Sequence, residues 1–487
     1  MSKQIPLQML ETAGSSLYAS ERKVYPRDVD GRFQRLRNVA VVVLLGLFYG
    51  VAWLRWDGRQ AVLFDLPARK FYVFGLGFWP QDFLFLALLL IIAALALFFF
   101  TAIAGRLWCG YACPQTVWTE VFLKMERWTE GDRGQRMKLD AAPWGARKLL
   151  RKSAKHALWI VFALWTGFTF VGYFSPITDL AARTPWSWSG WETFWILFYA
   201  FATWGNAGFM REQVCKYMCP YARFQSAMFD RNTLIIAYDA VRGERRGPRK
   251  RGFGSVFERA RASLPAPALH NPPELLSLHD SPESLGDCID CTICVQVCPT
   301  GIDIRDGLQY ECIACGACVD ACNEVMDKVG YPRGLIRHST QNAIDARPTR
   351  VLRPRVFVYG LLLLTLCFGW AWGVMHRSVL IAEVLRDRNS LYRVADDGRI
   401  ENGYTLKIIN KEASGRSYRL FVTAPGGITL TGGDRLIAAD AEEVLTVPVT
   451  LSAQKGTTSR SEVVFHVETL DRRWQKSVPS SFFGPTP

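Results

Sequence analysis

Five stretches of the chain are apolar for long enough to cross a hydrocarbon core of roughly 30 Å: Asn38 to Leu54, Asp82 to Ala104, Ala157 to Phe174, Glu192 to Met210 and Val356 to Met375. Trp53, Trp56, Trp79 and Trp191 sit at their ends, where an amphipathic ring suits the headgroup boundary. From about Leu391 the period changes. Apolar and polar residues alternate over Tyr404 to Asn410, Tyr418 to Thr423, Glu443 to Leu451 and Ser461 to Thr469, with turns such as Pro425-Gly426-Gly427 between them. That pattern predicts a β-sandwich, and about 100 residues suffice for one immunoglobulin-like domain, here without a Cys pair.

Composition adds large polar parts to this picture. Hydrophobic residues make up 49%, with 17 Trp and 30 Phe, yet the mean hydropathy is only +0.06, so apolar spans alternate with soluble segments. The formal charge of +14 is carried largely beside the spans, which reads as a topology signal, and no nucleic-acid partner is expected. Residues 1–37 lack an apolar core with a small-residue cleavage site, so the first span is expected to stay in the mature protein. Arg22, Lys23, Arg27, Arg32, Arg35 and Arg37 before the first span, and the basic run from Arg133 to Lys155 after the second, belong in the cytoplasm by the positive-inside rule. Five crossings then send residues 377–487 to the periplasm. The cysteines agree: none lies beyond Cys367 or in the outer loops 55–81 and 176–190, and thiolates persist in a reducing compartment.

Residues 288–322 carry Cys-x2-Cys-x2-Cys-x3-Cys twice, as Cys288, Cys291, Cys294 and Cys298 followed by Pro299, and as Cys312, Cys315, Cys318 and Cys322 followed by Asn323. This is the bacterial two-cluster pattern, in which the fourth cysteine ligates the other cluster. One [4Fe–4S] cluster is therefore assigned to Cys288, Cys291, Cys294 and Cys322, and the other to Cys312, Cys315, Cys318 and Cys298. Structural zinc is the bland alternative, but zinc sites rarely need three cysteines in a row at two-residue intervals.

A second motif is duplicated. Span two runs into Cys109-Gly110-Tyr111-Ala112-Cys113-Pro114 and span four into Cys215-Lys216-Tyr217-Met218-Cys219-Pro220, both Cys-x-Tyr-x-Cys-Pro. If the backbone there is helical, each pair shares one face, and the proline disfavours that helix continuing. Cys109, Cys113, Cys215 and Cys219, with Met210 or Met218 nearby, form a soft ligand set that suits Cu(I); redox-active thiols, a quinone site, or cysteines used as small packing residues are the other readings, and duplication of the motif, proline included, argues against packing. Tyr111 and Tyr217 receive no role. Cys367 reads as packing, and His156 and His376 show no bis-histidine haem pattern.

The sum resembles the CcoG proteins, also called FixG or RdxA, over nearly the whole chain. The motifs that carry it are both Cys-x-Tyr-x-Cys-Pro copies, the two-cluster module, the stretches Tyr310 to Cys315 and Gly330 to Ile336, and the β-domain. The resemblance implies an accessory factor for assembly of a cbb-type cytochrome oxidase, a cupric reductase that converts Cu(II) to Cu(I). Its partners would be an unknown cytoplasmic electron donor, copper ions, a copper chaperone or exporter, oxidase assembly factors and, in a homodimer, a second copy. Two other functions compete: NapH-like quinone-linked electron transfer, which lacks the β-domain, and a non-catalytic redox-sensing scaffold.

The expected organisation is an α-helical protein of the bacterial inner membrane with five transmembrane helices. Residues 1–37 form a cytoplasmic segment and 38–210 a four-helix membrane domain; 211–287 carry the second Cys-x-Tyr-x-Cys-Pro and a basic linker over 242–287. Residues 288–345 form a cytoplasmic ferredoxin-type module, 356–375 the fifth helix, and 390–487 a periplasmic all-β immunoglobulin-like domain.

Overall fold

The computed structural model describes residues 23–248, 285–388, 390–412, 414–454 and 460–485; residues 1–22 and most of the expected basic linker lie outside them. Two units are distinct in the chain, residues 1–368 and 369–487.

In the first unit, α1 (Arg32–Val51) is followed by a three-stranded antiparallel meander, Val62–Asp65, Lys70–Val73 and Leu76–Phe78. Next come α2 (Phe83–Ala104), the single turn α3 (Leu107–Tyr111), α4 (Pro114–Glu130) and α5 (Ala146–Val171). The helix α5 begins well before the expected span. Its first turns are amphipathic, with Lys148 and Lys155 buried and Leu149 and Leu150 exposed, so the sequence there gave no continuous apolar run.

Among the described residues four helices are long and apolar enough to cross a membrane, not the expected five. The stretch Glu192 to Met210 is not one regular helix. It begins as α6 (Gly190–Thr203), capped reciprocally by Ser189 and Glu192, and continues as a π-helix over Trp204–Met210. Gly205, Asn206 and Gly208 are poor helix formers, and a Cβ on Gly208 would lie 3.1 Å from the Trp159 ring. The wider π turn lets the backbone meet that indole. Gly167 of α5 serves the same close packing, with the Ile196 carbonyl 2.3 Å from where its Cβ would be.

After the second motif come α7 (Pro220–Met228) and an antiparallel pair, Ile235–Tyr238 with Ile336–Ser339. That pair floors the cysteine-rich module, which also contains α8 (Ala317–Val329). The last helix is α9 (Pro354–Met375).

The second unit is a two-sheet sandwich. One sheet orders Thr429–Leu430, Val444–Ala453, Ile400–Asn410 and Leu380–Arg386; the other orders Arg435–Ala439, Arg416–Thr423, Arg460–Thr469 and Gln475–Phe483. All four strands expected from alternation are present. The strand Gln475–Phe483 escapes that reading because Pro479 and three serines interrupt it, and it is tolerated as an edge strand. Leu406, Leu420, Leu451, Val463, Phe465, Val467 and Phe482 are fully buried between the sheets. Phe465 packs edge-on against Tyr404 at 5.0 Å. Phe465→Ala is expected to lower the unfolding free energy of this domain by about 3–5 kcal/mol, read as an earlier denaturant midpoint with an unchanged slope.

Candidate functional site

The eight cysteines of the ferredoxin-like repeat ring two cavities. One is lined by Cys288, Cys291, Cys294 and Cys322 with Tyr238, Ile293, Val325, Met326, Leu335 and Ile336. The other is lined by Cys298, Cys312, Cys315 and Cys318 with Ile236, Ile302, Ile304 and Ile313, and Cys294 stands between the two. The fourth cysteine of each repeat thus faces the other repeat's cavity. Among the described residues no three Cys, His, Asp or Glu side chains converge closely enough to hold a single metal ion, so the sulfurs stand around volumes instead of closing on one tetrahedral centre. Four thiols on a dry, aliphatic wall fit a cubane iron–sulfur group.

The two repeats share a backbone solution. Two and four residues after the first cysteine the chain turns left-handed in both: Asp290 and Thr292 at φ 54° and 55°, Ala314 and Gly316 at 54° and 76°. Such turns aim successive N–H groups into the concave side of a loop, where they suit anionic sulfur. Only Gly316 fits its place, since a Cβ would lie 2.6 Å from the Phe33 ring. This packing binds the module to the start of α1, and Asp320 of α8 strengthens it by accepting a 2.8 Å bond from the Gln34 N–H in the first turn of α1.

The first Cys-x-Tyr-x-Cys-Pro copy is seated directly on the second repeat. A Cβ on Gly110 would lie 2.9 Å from the Ile313 carbonyl oxygen and 3.0 Å from that of Ala314. Tyr111 donates its hydroxyl to the Cys315 carbonyl at 3.2 Å, and Cys109 packs against the buried cluster that contains Ile313 and Cys315. The second copy differs: Tyr217 and Met218 are 60% and 58% exposed. Tyr111 therefore has a docking role its duplicate lacks.

Neither cysteine pair lies on one helical face. Cys109 is in α3, whereas Cys113 is extended and caps α4, with Pro114 at the first helical position. Cys215 is in a short π turn, and Cys219 is likewise the extended cap of α7 before Pro220. Each proline both ends one turn and starts the next helix.

The two copies brace one another. Gln115, after the first proline, donates to the carbonyls of Asn206 and Arg211 ahead of the second pair, at 2.9 and 3.0 Å. In return Gln225, fully buried on α7, accepts from the Cys109 thiol at 3.2 Å and donates to Tyr221 Oη at 2.7 Å, which meets Thr101 Oγ1 at 3.0 Å. All four thiols come within electrostatic reach of one another. Burial, and then Cys113, pushes Cys109 up to about 12; burial, then Cys113 and Cys219, does the same to Cys215, and Arg106 opposes the rise at both.

Arg106 and Arg211, one ahead of each pair, are both buried. Arg211 reaches back to Glu126 of α4 at 2.9 Å, where Arg136 also pairs at 3.3 Å. Burial raises the Glu126 carboxyl, but Arg211, Arg136 and Lys155 hold it below its ordinary value. Arg106 donates to the carbonyls of Tyr310, of Cys312 at 3.3 Å, and of Ala222 at 2.7 Å. Sequence reading passed over Arg106, Gln225, Asp320 and Glu126; the only signal was a charged or amide residue repeated near each Cys-Pro.

His156 packs among Trp159, Trp204 and Phe209, and His376 stacks on Trp372 at 3.9 Å.

Residues 210–263 and 274–341 match the 4Fe-4S dicluster domain family, 86–134 a 4Fe-4S binding domain, and 370–485 the IG-like fold at the C-terminal of FixG. The chain is 38% identical over 500 residues to the nitrogen fixation protein FixG of Rhizobium meliloti, covering 92% of this chain and 90% of that one. The chain belongs to the FixG family. It is also 39% identical over 472 residues to protein RdxB of Cereibacter sphaeroides, with 92% of each covered, and 37% identical to RdxA of the same organism over 85% of this chain and 84% of that one. A crystal structure of a FixG-related protein from Vibrio parahaemolyticus aligns with 22% of this chain and 96% of its own, at 30% identity and a TM-score of 0.20. FixG membership together with the 4Fe-4S matches makes this an iron–sulfur redox protein.

Gly110→Val is expected to push the Ile313–Cys315 loop away from the membrane motif, seen as faster proteolysis of the module with both repeats' cysteines retained. Glu126→Gln leaves Arg211 and Arg136 without their carboxylate in a buried site and should cost about 3–5 kcal/mol. Because the folded value of Glu126 is depressed, its contribution is present above about pH 4.5 and is lost as pH falls further. A pH series of thermal midpoints should therefore separate wild type from Glu126→Gln at neutral pH and bring them together in acid.

Proposed function

We propose that the chain is an inner-membrane electron-transfer protein that reduces Cu(II) to Cu(I) at Cys109, Cys113, Cys215 and Cys219 for assembly of a copper-containing oxidase. The observation that carries this reading is the seating of Cys109-Gly110-Tyr111 on the Ile313–Cys315 loop. Cys288, Cys291, Cys294 and Cys322 would hold one [4Fe–4S] group, and Cys298, Cys312, Cys315 and Cys318 the other. When bound, such groups store and deliver single electrons at low potential. The protein's own part is to bring thiols and cluster loop into contact, to exclude water with the isoleucine walls, and to keep the soft sulfurs together in a buried setting. One electron converts Cu(II) to Cu(I), and thiolates favour the product because Cu(I) is the softer ion.

Five crossings support this arrangement if the π segment Trp204–Met210 prolongs α6, since together they rise about 30 Å. With Lys and Arg setting the orientation, the iron–sulfur module takes electrons from a cytoplasmic donor, and the β-domain stands in the periplasm, where an exporter or oxidase assembly factor would meet it.

One specific observation favours a second reading. The 4Fe-4S binding domain match over 86–134 contains Cys109 and Cys113, and the thiols of the two pairs lie within electrostatic reach of one another, so they would instead hold a third cluster. Chemical iron decides between them: about 8 irons per chain fits two clusters, about 12 fits three. Anaerobic protein with reduced clusters, freed of reductant and given Cu(II), is expected to form stoichiometric Cu(I) as the clusters reoxidise, at least tenfold more slowly after Cys109→Ser or Cys215→Ser. Clusters that stay reduced with Cu(II) but reoxidise with a quinone would remove the copper assignment.

A further inference from the structure

Arg106 is 4% exposed and sits one residue ahead of α3, between the second cysteine repeat and the thiol pairs. Its guanidinium hydrogen-bonds to main-chain carbonyls, those of Tyr310, Cys312 and Ala222, lies 5.9 Å from the centre of the Phe229 ring, and leaves its Nε without a hydrogen-bond partner. Among the described residues no carboxylate forms an ion pair with it. A buried cation is costly unless a negative charge offsets it, and the duplicate copy shows the ordinary solution: Arg211 has Glu126 at 2.9 Å. The groups whose charge reaches Arg106 are the thiols of Cys109, Cys312 and Cys215, with Glu311. Carbonyl dipoles hold the guanidinium in place, but they do not neutralise it.

A [4Fe–4S] group with four thiolate ligands is an anion that gains one further negative charge on reduction. The cavity of Cys298, Cys312, Cys315 and Cys318 fits such a group, and Arg106 lies against the loop of Cys312. The other cavity has a different cation beside it, Arg305, which is already paired with Asp303 and Asp290 at 2.6 and 2.5 Å.

We propose that Arg106 is the built-in counter-charge of the cluster held by Cys298, Cys312, Cys315 and Cys318. It raises that cluster's reduction potential relative to the other, so that electrons collect beside the thiol pairs. This rests on the reading that both cavities hold clusters and does not depend on copper. Arg106 acts through the cluster and is a positioning residue. A fixed unit charge within a few ångströms of the ligand sphere, incompletely screened by protein, favours the more negative state by about tenfold.

The test is an EPR-monitored redox titration of the anaerobically purified full-length protein in detergent, with iron content measured in parallel. In Arg106→Gln the reduced-to-oxidised ratio of one cluster at fixed potential should fall about tenfold, about 59 mV for a one-electron couple, with the other cluster unmoved. Arg106→Lys, which keeps the charge on a shorter arm with fewer donors, should lower the same potential by less. If the glutamine variant does not retain both clusters, lysine against wild type decides: a fall in one potential alone supports the proposal. Two unmoved potentials, two equal shifts, or a lysine variant as low as the glutamine one would overturn it. Wild-type protein without two cluster signals would instead overturn the cluster reading itself, a distinct result.

Discussion

The site depends on how closely two turns approach one another. The turn Cys109-Gly110-Tyr111, which follows the long apolar helix α2, lies against the Ile313–Cys315 loop of the cysteine module, and the contact is main chain to main chain because Gly110 has no side chain. Any Cβ there would meet two carbonyl oxygens at about van der Waals overlap, so the approach is conditional on one hydrogen atom. Tyr111 and Arg106 then fix the two turns with bonds to carbonyls of the same loop. The distance between the cavity of Cys312 and the thiol of Cys109 follows from that seat.

Around this seat the duplicated unit has diverged. Both copies keep Cys-x-Tyr-x-Cys-Pro, an arginine ahead of it and a helix starting at the proline, and they brace each other through Gln115 and Gln225. The first copy spends its tyrosine and arginine on the module. The second leaves Tyr217 exposed and directs Arg211 into the buried charges around Glu126. One copy thus faces the redox module while the other anchors to α4, an asymmetry that equal motifs would not suggest. The anchoring is cooperative, since Glu126 and Glu130 on α4 together engage Arg136, Arg211, Lys152 and Lys155 from three other segments.

Docking of the module to α1 uses a different device. Asp320 accepts from the Gln34 N–H in the first turn of α1, a cap supplied from nearly 300 residues away in the chain, while Phe33 fills the space above Gly316. These long-range contacts make the iron–sulfur module and the apolar helices one unit, whereas the sandwich closes on its own core of Leu406, Leu420, Phe465 and Phe482.

Periodicity alone determined the apolar helices, four of the sandwich strands and the cysteine repeats, because each is a local pattern repeated at the spacing of its own secondary structure. It missed Gln475–Phe483, whose Pro479 is acceptable only on an edge strand, and it read Glu192 to Met210 as one helix, because a π turn at Gly208 is decided by the distant Trp159 ring. The cysteines could be assigned chemistry from type and spacing, and so could the four that share each cavity, yet that Cys113 and Cys219 are extended caps instead of helical neighbours follows from how the turns fold back. Arg106, Gln225, Asp320 and Glu126 had no legible role in the sequence. A buried charge or amide is given meaning by the partners brought to it, and those partners lie about 90 to 290 residues away along the chain, where only tertiary packing can place them.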